Sequence, residues 1–158
     1  MLSYRKAKPS DIPVLIKLRL GYMHETHDDL SEDVFEQIAA QSGGYFQEHL
    51  NRDCVVYLAE EDGEAAGCVF FLLINKPASP LFITGKTGTL MNVYTLPQHR
   101  RKGIAKQLVQ MAIDDGKNWD LSYIELRSTK CGYPLYKELN FIEDKSIYMS
   151  MKLSFTKE

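Results

Sequence analysis

A chain of 158 residues, 44% apolar and 25% charged, has the make-up of an ordinary globular protein, long enough for one domain around one sizeable core. Its formal net charge of −2 supplies no global field for nucleic acid or an anionic membrane, so affinity for an anion must come from a local patch. The longest apolar run, Cys68 to Ile74, is too short to cross a bilayer, and the opening Met1-Leu2-Ser3-Tyr4-Arg5-Lys6 lacks the apolar stretch of a signal peptide.

Three cysteines, Cys54, Cys68 and Cys131, are an odd number without metal-like spacing. Cys54 and Cys68 fall in or beside apolar strand patterns and read as buried thiols of a cytoplasmic protein. The expectation is a single domain over residues 1–158, with no membrane and no nucleic acid among its partners, present as a monomer or homodimer.

In chain order, Tyr4 to Lys8 alternates like a first strand, and Pro9-Ser10-Asp11 reads as a turn with Ser10 or Asp11 capping a helix. Ile12, Leu15, Ile16, Leu18, Leu20 and Met23 carry the helical spacing, and the polar segment His24 to Ser31 ends it. A second helix is expected from Glu32 to Leu50, with Gly43-Gly44 as a possible interruption. Cys54 to Glu60 and Ala65 to Ile74 are strands joined by the hairpin signal Asp62-Gly63. Lys76 to Gly88 reads as a loop and Thr89 to Thr95 as a strand. Arg101 to Asn118 follows as a helix with Ile104, Leu108, Met111 and Ala112 on one face. Tyr123 to Leu126 is a short buried strand, Tyr133 to Leu139 a short helix, and Ile147 to Leu153 a closing strand. Hairpins followed by strand-helix-strand units imply an α/β (α+β) fold, a mixed sheet with helices on both faces.

The informative motif is Val93 to Ala105. A strand ends at Thr95, Pro97 stops its ladder, and a basic turn runs straight into a helix. The first turn of a helix has unpartnered backbone N–H groups and positive potential, so it welcomes an anion. Arg100, Arg101 and Lys102 place cations where a helix start ordinarily prefers carboxylates, and Gly103 and Ala105 keep the backbone accessible. A solvated basic turn is the plain alternative. Neither a P-loop nor a dinucleotide-binding glycine fingerprint is present.

Arg100-x-x-Gly103-x-Ala105, preceded by Thr95-x-Pro97, resembles the coenzyme A motif of the GCN5-related N-acetyltransferase (GNAT) family. Tyr4 to Ile12 is similar to that family's opening strand and first helix cap, and Tyr133 to Phe141 to its late helix. The resemblance implies a mostly antiparallel sheet, acetyl-CoA as cosubstrate without a metal, and an amine acceptor, either a small molecule or a peptide. It implies that the backbone of Val93, Tyr94 and Thr95 pairs with the pantetheine arm and polarises the thioester carbonyl. The N–H groups of Arg101, Lys102, Gly103, Ile104 and Ala105 would take the pyrophosphate, with added charge from Arg100 and Lys102. Tyr136 matches the family's proton donor to the leaving thiolate; by itself it is an aromatic on the apolar face of a short helix.

The sequence departs from its better-known relatives at Met91-Asn92, where an acidic pair often stands. Asn92 cannot be a base but can orient a water or the acceptor. Glu25 is the carboxylate candidate for base, ahead of His24, His27 and Glu60, with a solvated loop residue as its plain reading. Two loop histidines with no third ligand do not make a metal site. Asn140 replaces the usual glycine before Phe141 and tolerates the left-handed conformation of a helix cap. Cys131, just before the late helix, is either near the cofactor thiol or a small packing residue. The acidic segment from Glu25 to Asp33 would suit a cationic amine, and Leu81-Phe82-Ile83 would line a pocket or a dimer contact. Two further readings stay open. One is a fold that binds acyl-CoA as a sensor without turnover. The other is nucleic-acid binding through His99 to Lys102, disfavoured by Asp114 and Asp115 on the helix that follows.

Overall fold

Strand β1 (Leu2–Lys6) leads through a 3-10 turn, Pro9–Asp11, into helix α1 (Ile12–Thr26). The computed structural model describes residues 1–156. Asp11 stands at the N-cap of α1, but its carboxylate does not cap that helix. It accepts from the Lys8 backbone N–H at 2.8 Å and grips the Arg5 guanidinium at 2.7 and 2.9 Å, tying the helix start to β1. Helix α2 (Glu32–His49) begins where the Ser31 hydroxyl accepts from the Val34 N–H, and Gly43-Gly44 does not interrupt it. A Cβ on Gly43 would lie 3.4 Å from Ile16 Cδ1, so the glycine faces α1 at close approach.

Strands β2 (Cys54–Glu61) and β3 (Glu64–Asn75) form the expected hairpin. Asp62 and Gly63 both have positive φ, 53° and 85°, as a two-residue primed turn requires. Strand β4 (Lys86–Thr95) runs antiparallel to β3, and after helix α3 (Ile104–Asn118) strand β5 (Tyr123–Glu125) returns parallel to β4. The sheet order is β1-β2-β3-β4-β5, antiparallel except for its last pair. Strand β5 is half-buried with Glu125 exposed, where the sequence suggests a buried strand.

Alternation decides the two faces. Cys54, Val56, Leu58, Cys68 and Phe70 pack with Leu15 and Leu18 of α1 and Phe46 of α2. The other face receives α3, whose Ile104, Leu108, Val109 and Ala112 are buried. Tyr57 points that way, donating to Asp115 of α3 at 2.7 Å, and Phe71 stacks on Trp119.

One irregularity breaks the alternation. Cys68 pairs with Tyr94 and Phe70 with Met91, so Asn92 and Val93 together oppose Val69. This is a β-bulge, and Asn92 has φ 52°. The extra residue turns both Met91 and Tyr94 toward the α1 side, although they are three positions apart.

The chain divides into two compact units, Met1–Arg127 and a second that begins at Ser128. The second contains helix α4 (Tyr133–Glu138). Its end is a Schellman motif: the Phe141 N–H bonds the Tyr136 carbonyl at 2.9 Å, the Asn140 N–H bonds the Lys137 carbonyl, and Asn140 has φ 67°. Asparagine therefore does the work expected of it there. The closing strand expected at Ile147 to Leu153 is absent. Ile147, Met149, Met151 and Leu153 are all more than three-quarters exposed, at 89%, 87%, 90% and 79%. Residues 147–153 carry the side-chain alternation of a strand without the backbone pairing that makes one. Among the described residues, no helix is long and apolar enough to cross a membrane.

Candidate active site

Strand β4 parts from β5 halfway along its length. The parallel ladder covers only Thr87, Gly88 and Thr89 against Tyr123, Ile124 and Glu125. Beyond Thr89, β4 has β3 on one side and, among the described residues, no strand on the other. One row of its backbone donors and acceptors between Leu90 and Thr95 therefore has no strand partner among the described residues. The residues expected to hold a pantetheine arm, Val93, Tyr94 and Thr95, lie in this stretch.

The strand then enters the basic turn. Pro97–His99 forms a 3-10 turn, Arg101 has φ 64°, Gly103 has φ 76°, and α3 starts at Ile104 rather than at Arg101 as the sequence suggests. The helix begins late because two left-handed residues cannot belong to it. Gly103 is its N-cap, and no side chain caps the first turn. Nothing lies within 4 Å of where a Gly103 Cβ would stand, so the turn is open to an approaching anion.

Carboxylates already hold two of the three consecutive cations of this turn. The Arg100 Nη2 donates to both oxygens of Glu25 at 2.6 and 2.8 Å, and its Nε donates to the Thr95 carbonyl at 3.0 Å. Lys102 Nζ reaches both oxygens of Glu61 at 2.9 and 2.7 Å. His99 Nδ1 lies 2.5 Å from the same carboxylate. Hydrogen bonds from Lys102 and then His99 hold the Glu61 carboxyl below its ordinary range. Arg101 is exposed.

Helix α1 runs past β4 so that successive turns meet successive parts of the motif. Arg19 Nη1 donates to Asn92 Oδ1 at 3.1 Å, Tyr22 meets the Tyr94 ring edge-on, and Glu25 takes Arg100. Asn92 is buried, and its amide is engaged at both ends, since Nδ2 donates to Cys68 Sγ at 3.5 Å. Tyr94 fits beneath α1 only because residue 21 is glycine: a Cβ there would stand 2.9 Å from the phenol oxygen. Burial first, and then the Glu25 charge, raises the Tyr94 phenol.

The remaining candidates have other engagements. His24 stacks on Phe35 with ring centroids 3.9 Å apart, and His27 ends α1 with its Nδ1 2.9 Å from the Thr26 hydroxyl. Glu60 is bound by Arg5 at 2.6 and 3.1 Å. Among the described residues, no three His, Cys, Asp or Glu side chains converge as a metal site would need. Cys54 and Cys68 are buried, as expected, and Cys131 is exposed. Burial pushes the Cys54 thiol up to about 11 and the Cys68 thiol up to about 12, so neither is a nucleophile near neutral pH. Leu81 and Ile83 are exposed, whereas Phe82 packs edge-on against Tyr123 beneath Lys76. In the second unit, Tyr136 is buried on α4 with the Phe141 ring edge-on at 5.8 Å.

Sequence reasoning misses Arg19, Gly21 and Glu61. For Arg19 a signal exists: it lies four residues after Leu15, on the face of α1 that the buried Leu15 and Leu18 define. A charge on an apolar face calls for a partner.

Comparison with known proteins agrees with this geometry. The model of the acetyltransferase (GNAT) family matches residues 14–141. An N-alpha-acetyltransferase of Sulfurisphaera tokodaii is 32% identical over 110 residues, 64% of this chain and 65% of that protein, so this chain spans less than two thirds of its length. The crystal structure of a predicted acetyltransferase with acetyl-CoA from Clostridium acetobutylicum superposes with a TM-score of 0.80 at 25% identity, covering 96% of each chain. A glucosamine-6-phosphate N-acetyltransferase from Arabidopsis thaliana shares the fold, with a TM-score of 0.69 at 21% identity over 98% of this chain and 99% of that one.

Proposed function

The chain belongs to the acetyltransferase (GNAT) family, and from that premise we propose that it moves the acetyl group of acetyl-CoA to a primary amine by direct attack. The observation that carries this reading is the parting of β4 from β5 beyond Thr89, which leads to the uncapped, glycine-started helix α3. An extended chain fits the first and a pyrophosphate the second. The superposition on a structure containing acetyl-CoA supports the same occupant, and the N-alpha-acetyltransferase relative supports an amine of a peptide or small molecule as acceptor.

In this reading the amine nitrogen bonds to the acetyl carbon, the carbon–sulfur bond breaks, and the thiolate leaves. The amine gives up one proton and the thiolate gains one. Most of the acceleration comes from holding the two reactants in line. The backbone of Val93, Tyr94 and Thr95 holds the pantetheine arm, and an N–H there polarises the thioester carbonyl. Backbone N–H groups from Arg101 to Ala105 receive the pyrophosphate, with charge from Arg100 and Lys102. Tyr136 gives the proton to sulfur. An anion on Arg100 competes with Glu25, so cofactor binding frees that carboxylate to take the proton of the amine. Asn92 positions Arg19 and the bulge.

One observation favours a sensor that binds acyl-CoA without turnover: Glu25 and Glu60 are both held in ion pairs with arginines. Incubation with acetyl-CoA and a panel of amines, with free thiol as the readout, separates the two. Amine-dependent thiol release is expected. Tight binding of acetyl-CoA with no such release would leave the sensor.

A further inference from the structure

Three arginines of the first unit are at least half-buried or ion-paired, and they differ in their partners. Arg5 holds Asp11 and Glu60, and Arg100 holds Glu25. Arg19, half-buried on α1, has one hydrogen bond, to the neutral Asn92 amide, and no carboxylate among the described residues. A guanidinium carries five donors in a planar fork suited to a carboxylate. Taking such a cation out of water without a counter-charge is costly, and burial does lower the Arg19 pKa, against weak support from Tyr22 and Cys68.

Its position is specific. The partner Asn92 sits in the bulge of β4, within the stretch that has left β5 and has no strand on its far side among the described residues. Left-handed backbone at Asn92 and the bond from Asn92 Nδ2 to Cys68 fix the amide, and the amide fixes one arm of the fork. The guanidinium is thus held in place with no carboxylate beside it among the described residues.

We propose that Arg19 is the anchor for a carboxylate on the acceptor, so that this protein acts on amines that also carry an acidic group, such as free amino acids. The identity of that acceptor as an amine rests on the acetyltransferase reading; the carboxylate site does not. The cationic acceptor suggested by the acidic segment from Glu25 to Asp33 becomes here a zwitterionic one, whose ammonium suits the Glu25 carboxylate that cofactor binding frees and whose carboxylate suits Arg19.

The test uses matched pairs. Amino acids with α- or ω-amines and the corresponding amino-acid amides are offered with acetyl-CoA, and kcat/KM is read from thiol release. At least one carboxylate is expected to exceed its amide by about tenfold or more, the range of a charge-assisted hydrogen bond. In Arg19→Gln that ratio should collapse to about one, and in Arg19→Lys it should partly survive because the charge remains. Wild-type protein that favours no carboxylate would overturn the proposal. So would an Arg19→Gln variant in which both members of a pair fall together, the mark of a strut between α1 and β4. Saturation-transfer NMR with N-acetyl amino acids and their amides reads the same preference without turnover. A carboxylate-dependent transfer signal in wild type that disappears in Arg19→Gln supports the anchor, and no such signal in wild type refutes it. Failure of acetyl-CoA to bind or release thiol would count against the acetyltransferase reading, and the NMR arm would still decide the anchor.

Discussion

Gly21 and Gly103 are required for different reasons, and substitution separates them. At Gly21 the obstacle is another atom: an added Cβ meets the Tyr94 phenol oxygen at 2.9 Å. Gly21→Ala should lower stability by about 1–3 kcal/mol, as overpacking does, and urea denaturation would show it as a lower midpoint. At Gly103 the obstacle is the backbone, since φ is 76° and space is free. Gly103→Ala should cost roughly 1–2 kcal/mol of local strain and weaken acetyl-CoA binding in calorimetry, whereas Gly103→Asn should be milder. The need for glycine at 103 is readable in the motif itself. The need at 21 is not, because it arises from a tyrosine 73 residues later, and no local pattern marks such a contact. Arg19 lies between these cases: its place on the apolar face is visible in the helical spacing, but its lack of a counter-charge emerges only when β4 is laid beside it.

At the scale of elements, the turn between β4 and α3 combines a helix start with two ion pairs that occupy Arg100 and Lys102. An incoming pyrophosphate has to compete with Glu25 and Glu61 for Arg100 and Lys102. Arg100→Gln should therefore weaken acetyl-CoA binding by about tenfold. Glu25→Gln should tighten it by a few-fold at low salt and lower kcat if the freed carboxylate is the base; titration calorimetry and initial rates measure the two effects separately. Most elements are legible in the sequence where local rules suffice. The Asp62-Gly63 hairpin follows from turn chemistry, and α3 from the spacing of Ile104, Leu108 and Ala112. The start of α3 is less legible because Arg101 and Lys102 are good helix formers, and only the left-handed backbone at Arg101 and Gly103 excludes them. Ile147 to Leu153 shows the opposite failure: the alternation is present, yet the strand needs a partner that side-chain order does not encode.

For the molecule as a whole, acid stability has an identifiable contributor. Arg5 lowers the Asp11 carboxyl below its ordinary 3.8, mainly through side-chain hydrogen bonding. A depressed carboxylate stabilises the fold fully above its unfolded value, and the contribution is lost as pH falls through the folded one. Asp11→Asn should cost roughly 1–3 kcal/mol at neutral pH and flatten the fall in stability below about pH 4, measurable by denaturation at stepped pH. The bond joins β1, the start of α1 and, through Glu60, the end of β2, so its loss should act on the first unit cooperatively. Thiol reactivity follows the same logic of burial: with Cys54 and Cys68 buried and Cys131 exposed, native protein should react rapidly at one thiol and unfolded protein at three.

The bulge at Asn92 has a further consequence, for the gene rather than the folded chain. It acts as a half-period phase shift in β4: residues before it are counted by one parity and residues after it by the other. Removing codon 92 would leave an unbroken ladder in which Val93 alone opposes Val69 while Tyr94 still opposes Cys68 and keeps its side toward α1, so the loss would be the Asn92 amide that holds Arg19. A scan of single-codon deletions should therefore find the bulge more tolerant than the regular part of β4, where a deletion reverses the faces of the residues on one side of it.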